Sequence, residues 1–312
     1  MPNRRILLTG GSGFVGAAVV RGMAASFPDL ITPLRASVNS NAGYTIGIKQ
    51  PKIFDINGHT KWEDSLNGVH VVVHCAAATT ADGGFHTGGI STLRSVNIDG
   101  TLNLARQAAA SGVKRFLFIS SIKVNGESTK PDVPFTANDQ PKPIDDYATS
   151  KLEAERGLLQ LAADTGIEVV IIRPPLVYGP NVKGNFAKLG ALLSKGVPLP
   201  LAIIKNKRSF VAIDNLIDLI ITCIHHPKAA NEIFLVSDGQ DLSTPELLKG
   251  MAAAMGRDAN LFSFPSSILG FGAVVLGKKS EADRLLGTLQ LDISKTKDVL
   301  NWSPKIDVDE GL

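Results

Sequence analysis

Tyr147-Ala148-Thr149-Ser150-Lys151 sets a phenol and an amine four residues apart. In a helix that spacing puts both side chains on one face. A free phenol keeps its proton up to a pKa of ~10, and a neighbouring ammonium favours the phenolate. The pair is therefore expected to work as a general acid–base near neutral pH. Ser120-Ser121 closes an apolar run over residues 115–121 that reads as a strand. The C-terminal ends of strands are where doubly wound sheets bind their ligands, and a hydroxyl there can polarise a carbonyl or an alcohol.

A second group of residues belongs to phosphate chemistry. Thr9-Gly10-Gly11-Ser12-Gly13-Phe14-Val15-Gly16 follows one apolar strand and opens one helix. Gly10 permits the tight turn, Gly13 lets a pyrophosphate approach the backbone, and Gly16 lets the helix lie close to the sheet. The first helical residues, Phe14 and Val15 among them, then offer free N–H groups and a partial positive charge. This predicts a dinucleotide site, with Lys151 available to hold a nicotinamide ribose. An acidic residue about 20 positions after the glycines would bind a ribose 2′-hydroxyl, but this segment reads Pro33-Leu34-Arg35-Ala36. A guanidinium suits a 2′-phosphate, so NADP is the preferred cofactor and NAD the alternative. Asp55-Ile56, at the end of a third strand, can hydrogen-bond an adenine through a carboxylate and an amide.

The elements that must position these residues alternate along the first half of the chain. Strands are predicted at residues 5–9, 31–35 (broken by Pro33), 52–56, 69–77, 115–121 and 168–173. Helices are predicted at 14–25, 93–111 and 147–163. Alternation of this kind implies parallel βαβ units with right-handed crossovers, and strands apolar nearly throughout imply a sheet covered on both faces. The expected fold class is α/β, a doubly wound parallel (Rossmann) sheet over residues 1–179. Beyond Gly179 prolines punctuate shorter elements, and a smaller C-terminal α/β substrate lobe is expected over 180–312. An apolar helix at 214–224 is expected to pack back on the first domain.

The motifs together resemble a known family. They are the glycine turn; His74-Cys75-Ala76-Ala77-Ala78; Asn97 in Ser95-Val96-Asn97-Ile98-Asp99-Gly100-Thr101; Phe118-Ile119-Ser120-Ser121; Tyr147 to Lys151; Arg173-Pro174-Pro175-Leu176-Val177-Tyr178-Gly179-Pro180; and Arg208-Ser209-Phe210-Val211-Ala212-Ile213-Asp214-Asn215. Over nearly the whole length the sequence is similar to the extended short-chain dehydrogenase/reductases of the NAD-dependent epimerase/dehydratase family, near the nucleotide-sugar 4-epimerases and 4-ketoreductases. The resemblance implies that Ser121 is the catalytic hydroxyl, Tyr147 the acid–base and Lys151 its partner. It implies that Ala76, Ala77, Asn97, Pro174 and Val177 line the cofactor. It also implies that Asn185 and Arg208 bind a nucleotide diphosphate, with Arg284 as a second phosphate-binding arginine. Two positions depart from the pattern. Asn125 stands where a Tyr is frequent, and Lys123 stands where epimerases carry a small residue and dehydratases often Glu, which argues against dehydratase chemistry. Both are placed at the substrate.

Three readings follow. The preferred one is reduction at C4 of a UDP-linked 4-keto-6-deoxy-hexosamine for surface polysaccharide, with Tyr147 giving the proton and Ser121 orienting the carbonyl as hydride arrives from NADPH. The alternative is a UDP-glucose or UDP-N-acetylglucosamine 4-epimerase, which uses the same residues. A dinucleotide sensor without activity is the third, disfavoured by the intact Ser121, Tyr147 and Lys151 set.

Composition bounds the rest. The 312 residues are 44% hydrophobic and 20% charged with a net charge of +3, as in a globular protein with a sizeable core and no basic stripe for nucleic acid. Cys75 and Cys223 suggest buried thiols in a reducing compartment. His225-His226 has no accompanying ligand cluster, so no metal is expected. Residues 1–8 lack the apolar run of a signal peptide, and the apolar stretch 268–276 is far shorter than the ~20 residues of a membrane span, so no membrane contact and a cytoplasmic location are expected. A homodimer through helices 93–111 and 147–163 is common in the resembling family. Asp309-Glu310-Gly311-Leu312 resembles the start of a helix, so the natural chain is expected to run slightly further.

Overall fold

A computed structural model describes residues 4–24, 27, 29–32, 34–35, 52–53, 55–79, 89–182, 184–265, 268–270, 277 and 279–312, with the side chains of residues 34, 35, 52, 53, 185 and 279–281 outside the description. The main sheet has six strands, all parallel. In spatial order they are β2 (Leu30–Ile31), β1 (Ile6–Thr9), β5 (Val71–His74), β6 (Arg115–Ile119), β7 (Glu168–Arg173) and β10 (Glu232–Leu235). The chain starts in the interior of the sheet, moves to one edge and then crosses to the other half. That reversal creates the crevice in which such sheets bind ligands.

Side-chain alternation along the strands feeds two cores. Ile6 and Leu8 of β1 pack with helix α1 (Phe14–Met23) and helix α7 (Ile213–His225). Leu7 faces the opposite side, with Trp62, helix α4 (Thr101–Ala110) and helix α5 (Asp146–Thr165). Helix α7 thus lies against α1: a Cβ on Gly22 would come 2.9 Å from Ile217 Cγ2. Strand β10 and helix α7 both come from beyond residue 180, so chain order does not separate sheet from lobe at 179/180. The lobe has its own core around Phe210, Leu247, Leu248 and Met251. It carries a three-stranded sheet of β11 (Asp241–Leu242), β9 (Arg208–Ala212) and β8 (Leu176–Tyr178).

Two elements differ from expectation in ways that have a physical cause. The strand expected over 31–35 is replaced by two short ones, Leu30–Ile31 and Leu34–Arg35, on either side in sequence of a proline, which has no N–H for a ladder. One is β2; the other, β3 (Leu34–Arg35), pairs instead with β4 (Lys52–Ile53). The predicted helix over 93–111 is interrupted. Helix α3 (Gly89–Leu93) leads into a π-helical stretch, Arg94–Gly100, before α4. Such π segments often occur at functional sites, and Asn97 lies in this one. Gly100 lets the same stretch approach the loop after β4, where a Cβ would sit 2.7 Å from Ile56 Cγ2. Among the described residues no helix is long and apolar enough to cross a membrane, and no group of three metal-ligating side chains occurs.

Candidate active site

The glycine turn is built as its residue types require. Gly10 has φ +78°, and a Cβ on it would meet the backbone N of Ala76 at 2.6 Å. A Cβ on Gly16 would sit 2.1 Å from the carbonyl oxygen of Gly10, whereas one on Gly13 meets only that oxygen, at 3.3 Å. The Gly10 carbonyl accepts the Gly13 amide at 2.9 Å. No side chain caps the start of α1, and its first turn holds no acidic residue. The free N–H groups and the positive end of the dipole at this helix start are therefore not met by a capping side chain or an acidic residue of its own first turn. Beside it, Ala76 is buried and Ala77 half-buried.

Helix α5 carries both members of the phenol–amine pair, and its N-terminus is fixed by Asp145, whose carboxylate accepts the Ala148 amide at 2.7 Å. Lys151 is 2% exposed. Its ammonium donates to the Ile119 carbonyl at 2.8 Å and lies 4.4 Å from the Phe118 ring centroid. Burial pushes its pKa down to about 8. The Tyr147 phenol is pushed up to about 12, by burial first and by the Asp145 charge second. The expected depression of the phenol is therefore not found in this arrangement, because burial and the Asp145 charge both act in the opposite direction. Ser121 accepts the Lys123 amide at 3.3 Å and caps the short turn Ile122–Val124. Beneath the site, His74 bridges Thr9 at 2.6 Å and Thr101 at 2.9 Å. Burial and the Lys151 charge push it down to about 3, so it is neutral. The Cys75 thiol is pushed up to about 12 by burial.

Several sequence-assigned residues have protein partners for their polar groups. Asn97 is fully buried with its amide spent on protein. Its Oδ1 accepts the Ala78 N–H at 2.7 Å, and its Nδ2 donates to the Ala78 carbonyl at 3.0 Å and to Ser150 at 2.9 Å. It clamps the end of β5 to α5. Asn125, expected at the substrate, is 1% exposed; it donates to the Thr136 carbonyl and accepts from Arg173, both at 2.9 Å. Arg173 pairs with Glu155 through two hydrogen bonds of 3.0 and 2.5 Å, and Ser120 donates to the same carboxylate at 2.5 Å. Lys123 is bound to Glu127 at 2.8 Å and to Asp145, so its ammonium is occupied. Pro174 is buried and its carbonyl accepts the Ile122 amide at 2.9 Å. Val177 packs against the main core from β8. Asp55 is exposed, and its carbonyl accepts from Thr60 at 2.5 Å. Phe14 and Val15 are half-buried at the start of α1. The side chains of Arg35 and Asn185 lie outside the described residues; Asn185 opens helix α6 (Asn185–Ser194).

Arg208 and Arg284 are brought together from distant segments. Asn206 donates to the carbonyls of Leu285 and Gly287 at 3.2 and 3.0 Å, tying the approach to β9 to the end of the helix Lys279–Leu286. Arg208 itself donates to the Gly287 carbonyl at 3.0 Å. Burial first, and the Arg284 charge second, push Arg208 down to about 10. The Glu127 charge acts on Arg208 in the opposite direction. Glu155 and Asp145, which hold Arg173, Ser120 and the start of α5, carry no assignment from the sequence. A carboxylate four residues after Lys151, and one two residues before Tyr147, were the available signals.

Residues 6–237 match the NAD dependent epimerase/dehydratase family. The chain belongs to that family. It is 47% identical over 311 residues to UDP-glucose 4-epimerase of Vibrio cholerae, covering 99% of this chain and 93% of that protein. It is 25% identical over 319 residues to GDP-6-deoxy-D-mannose reductase of Pseudomonas aeruginosa, covering 99% and 95%. In fold it matches UDP-glucose 4-epimerase of Thermotoga maritima solved with UDP-glucose, with TM-score 0.77 at 22% identity over 98% and 95% of the two chains. It also matches UDP-glucuronic acid 4-epimerase of Bacillus cereus in complex with NAD, with TM-score 0.74 at 20% identity over 98% and 95%. The expectation of the family from its motifs is thereby met, and so is the Rossmann-type α/β fold class. The residues present fit a dinucleotide: the turn at Gly10 and Gly16 leaves no room for a side chain, and the uncapped start of α1 suits a pyrophosphate.

Proposed function

We propose that the protein is a nucleotide-sugar 4-epimerase that inverts C4 of a UDP-hexose with NAD as a retained cofactor. The observation that carries this reading is 47% identity over 99% of the chain to a UDP-glucose 4-epimerase, against 25% to a reductase of the same family. It favours epimerisation over net reduction, the reading preferred from Arg35 and Lys123. Lys123 speaks less for reduction, because its ammonium is paired with Glu127 and Asp145. The family's NAD dependence supports NAD over NADP.

In this reading the bound nicotinamide supplies a reversible hydride acceptor and donor. The chain supplies everything else. Tyr147 takes the C4 hydroxyl proton and later returns it, and Ser121 orients the C4 oxygen. Lys151, one turn along the same helix face, holds the cofactor ribose and offers the positive charge that a phenolate needs. The paired Arg208 and Arg284 hold the diphosphate. Because hydride leaves and returns within one cycle, no cofactor is consumed.

The test is to incubate purified protein with UDP-galactose, and separately with UDP-N-acetylgalactosamine, without added cofactor, and to identify the nucleotide released on denaturation. Conversion to the C4 epimer and release of NAD+ are expected. Stoichiometric oxidation of added NADPH by a 4-keto nucleotide sugar, with no epimer formed, would overturn the reading. Tyr147→Phe is expected to lose turnover by at least about 100-fold while retaining NAD.

A further inference from the structure

Lys123 links two parts of the proposed machinery that are distant in sequence. Its backbone N–H donates to the Ser121 hydroxyl at 3.3 Å, and its ammonium pairs with Asp145, two residues before Tyr147. Asp145 has three roles at the start of α5. Its carboxylate accepts the Ala148 amide at 2.7 Å, and its carbonyl accepts the Thr149 amide at 2.9 Å and the Thr149 hydroxyl at 3.0 Å. The lysine and the aspartate are mostly shielded, with side chains 25% and 35% exposed, unlike the solvated pair Lys207–Asp132 at 54% and 75%. Glu127, four residues after Lys123, takes a second side of the ammonium at 2.8 Å.

We propose that Lys123 is a positioning residue that acts on Tyr147 through Asp145: it pins the capping carboxylate in place and cancels its negative charge beside the phenol. This rests on the assignment of Tyr147 as the proton-transfer group. The electrostatics agree with the geometry. Burial alone would raise the Asp145 carboxyl, but hydrogen bonds from Lys123 and the Ala148 amide, with the Lys123 and Arg284 charges, hold it below the ordinary carboxylate value. It is the Asp145 charge that adds to burial in raising the Tyr147 phenol. Among the described residues, other charged and titratable groups around the start of α5 include Asp146, Lys151 and Glu155 on the helix itself, Cys75 at the end of β5, and the pair Arg94–Glu153, whose arginine comes from the π-helical stretch. None of these contacts the Asp145 carboxylate through a hydrogen bond in the structure. Two of the three ammonium N–H groups of Lys123 are thus taken by Asp145 and Glu127.

A double-mutant cycle on the holoenzyme tests this, with Lys123→Met, Asp145→Asn and the two combined. Asn keeps the capping oxygen and removes the charge. The readouts are the pH dependence of kcat and, with NAD bound, the NMR titration of Tyr147 labelled at the ring carbon bearing oxygen. The chain has three tyrosines, and Tyr147→Phe identifies the signal. Lys123→Met is expected to move the acid limb of kcat and the phenol midpoint up by about half a pH unit, and Asp145→Asn to move them down. With Asn at 145, the effect of Lys123→Met should shrink to less than about a third, because the group through which it acts is gone. Lys123→Arg should restore the wild-type profile, and Lys123→Gln serves if the Met variant does not fold. A midpoint unmoved by Lys123→Met, or a shift of equal size in the Asp145→Asn background, overturns the proposal. So does a raised KM for the UDP-hexose with an unmoved pH limb, which would make Lys123 a substrate ligand. If the wild type turns over no UDP-hexose, the proposed function fails, while the phenol titration still decides the role of Lys123.

Discussion

Acidification should destabilise this protein through one buried histidine. His74 ends strand β5, is 0% exposed, and has both ring nitrogens bonded to threonine hydroxyls, at 2.6 Å to Thr9 and 2.9 Å to Thr101. Burial and the Lys151 charge push it from 6.5 down to about 3. Between these values the unfolded chain binds a proton that the native state refuses, so stability rises with pH across the window. The contribution is complete above the unfolded pKa and is lost as pH falls below 6.5. Each pH unit inside the window is worth about 1.4 kcal/mol, so acidification from about 6.5 to about 5 should cost about 2 kcal/mol. That is a large share of the ~5–15 kcal/mol that holds a typical domain together. The assay is urea unfolding at a series of pH values for the wild type and for His74→Gln, whose amide donates and accepts but does not titrate. His225 is also pushed below its ordinary value by burial and by nearby cationic groups, and it adds a loss in the same direction, but it is common to both proteins and cancels in the difference. The variant should be less stable near neutral pH and flatter between about 6.5 and 5. Parallel curves for the two proteins would refute the assignment of a neutral, proton-refusing His74.

Two further outcomes can be read from the structure. Gly16→Ala would put a methyl group 2.1 Å from the Gly10 carbonyl oxygen and 2.6 Å from its carbon, both of them backbone; we expect a loss of about 2 kcal/mol or more in thermal or urea unfolding and at least about tenfold weaker NAD binding by calorimetry, and unchanged affinity would contradict the role given to the turn. Glu155→Gln leaves the Arg173 guanidinium, 2% exposed, without its counter-charge, and should cost about 3 kcal/mol, whereas Asp132→Asn on the exposed Lys207–Asp132 pair should cost less than about 1 kcal/mol; equal losses in urea unfolding would show that burial does not set the cost of these pairs.

Local chemistry was legible in the chain. The glycine spacing, the four-residue step from Tyr147 to Lys151, the strand ending at Ser121 and the alternation of apolar runs with helices led to the α/β fold class and to the family, and the structure places those elements near the expected positions. Pro33 was legible as a break because its effect is covalent, and strands β2 and β3 part on either side of it. These features depend on neighbours within a turn or a strand, where the geometry is set by backbone period.

Contacts between distant segments were not legible. Nothing in the local pattern of residues 232–235 says that they join the parallel sheet as β10 beside β7. Nor does the local pattern reveal that Asn97 and Asn125 spend their amides on Ala78, Ser150, Thr136 and Arg173, or that Lys123 is taken up by Asp145. Their residue types suit ligand binding equally well, and only the fold decides whether a polar group meets a ligand or another buried group. The direction of the Tyr147 shift has the same origin: the sequence supplies a lysine one turn away, but burial and the Asp145 carboxylate determine what the phenol experiences. Sequence alone therefore determined the elements and the reactive groups they carry, because these follow from covalent geometry and periodicity. Tertiary structure decided which polar groups remain free to act, because desolvation and pairing depend on atoms brought close by folding.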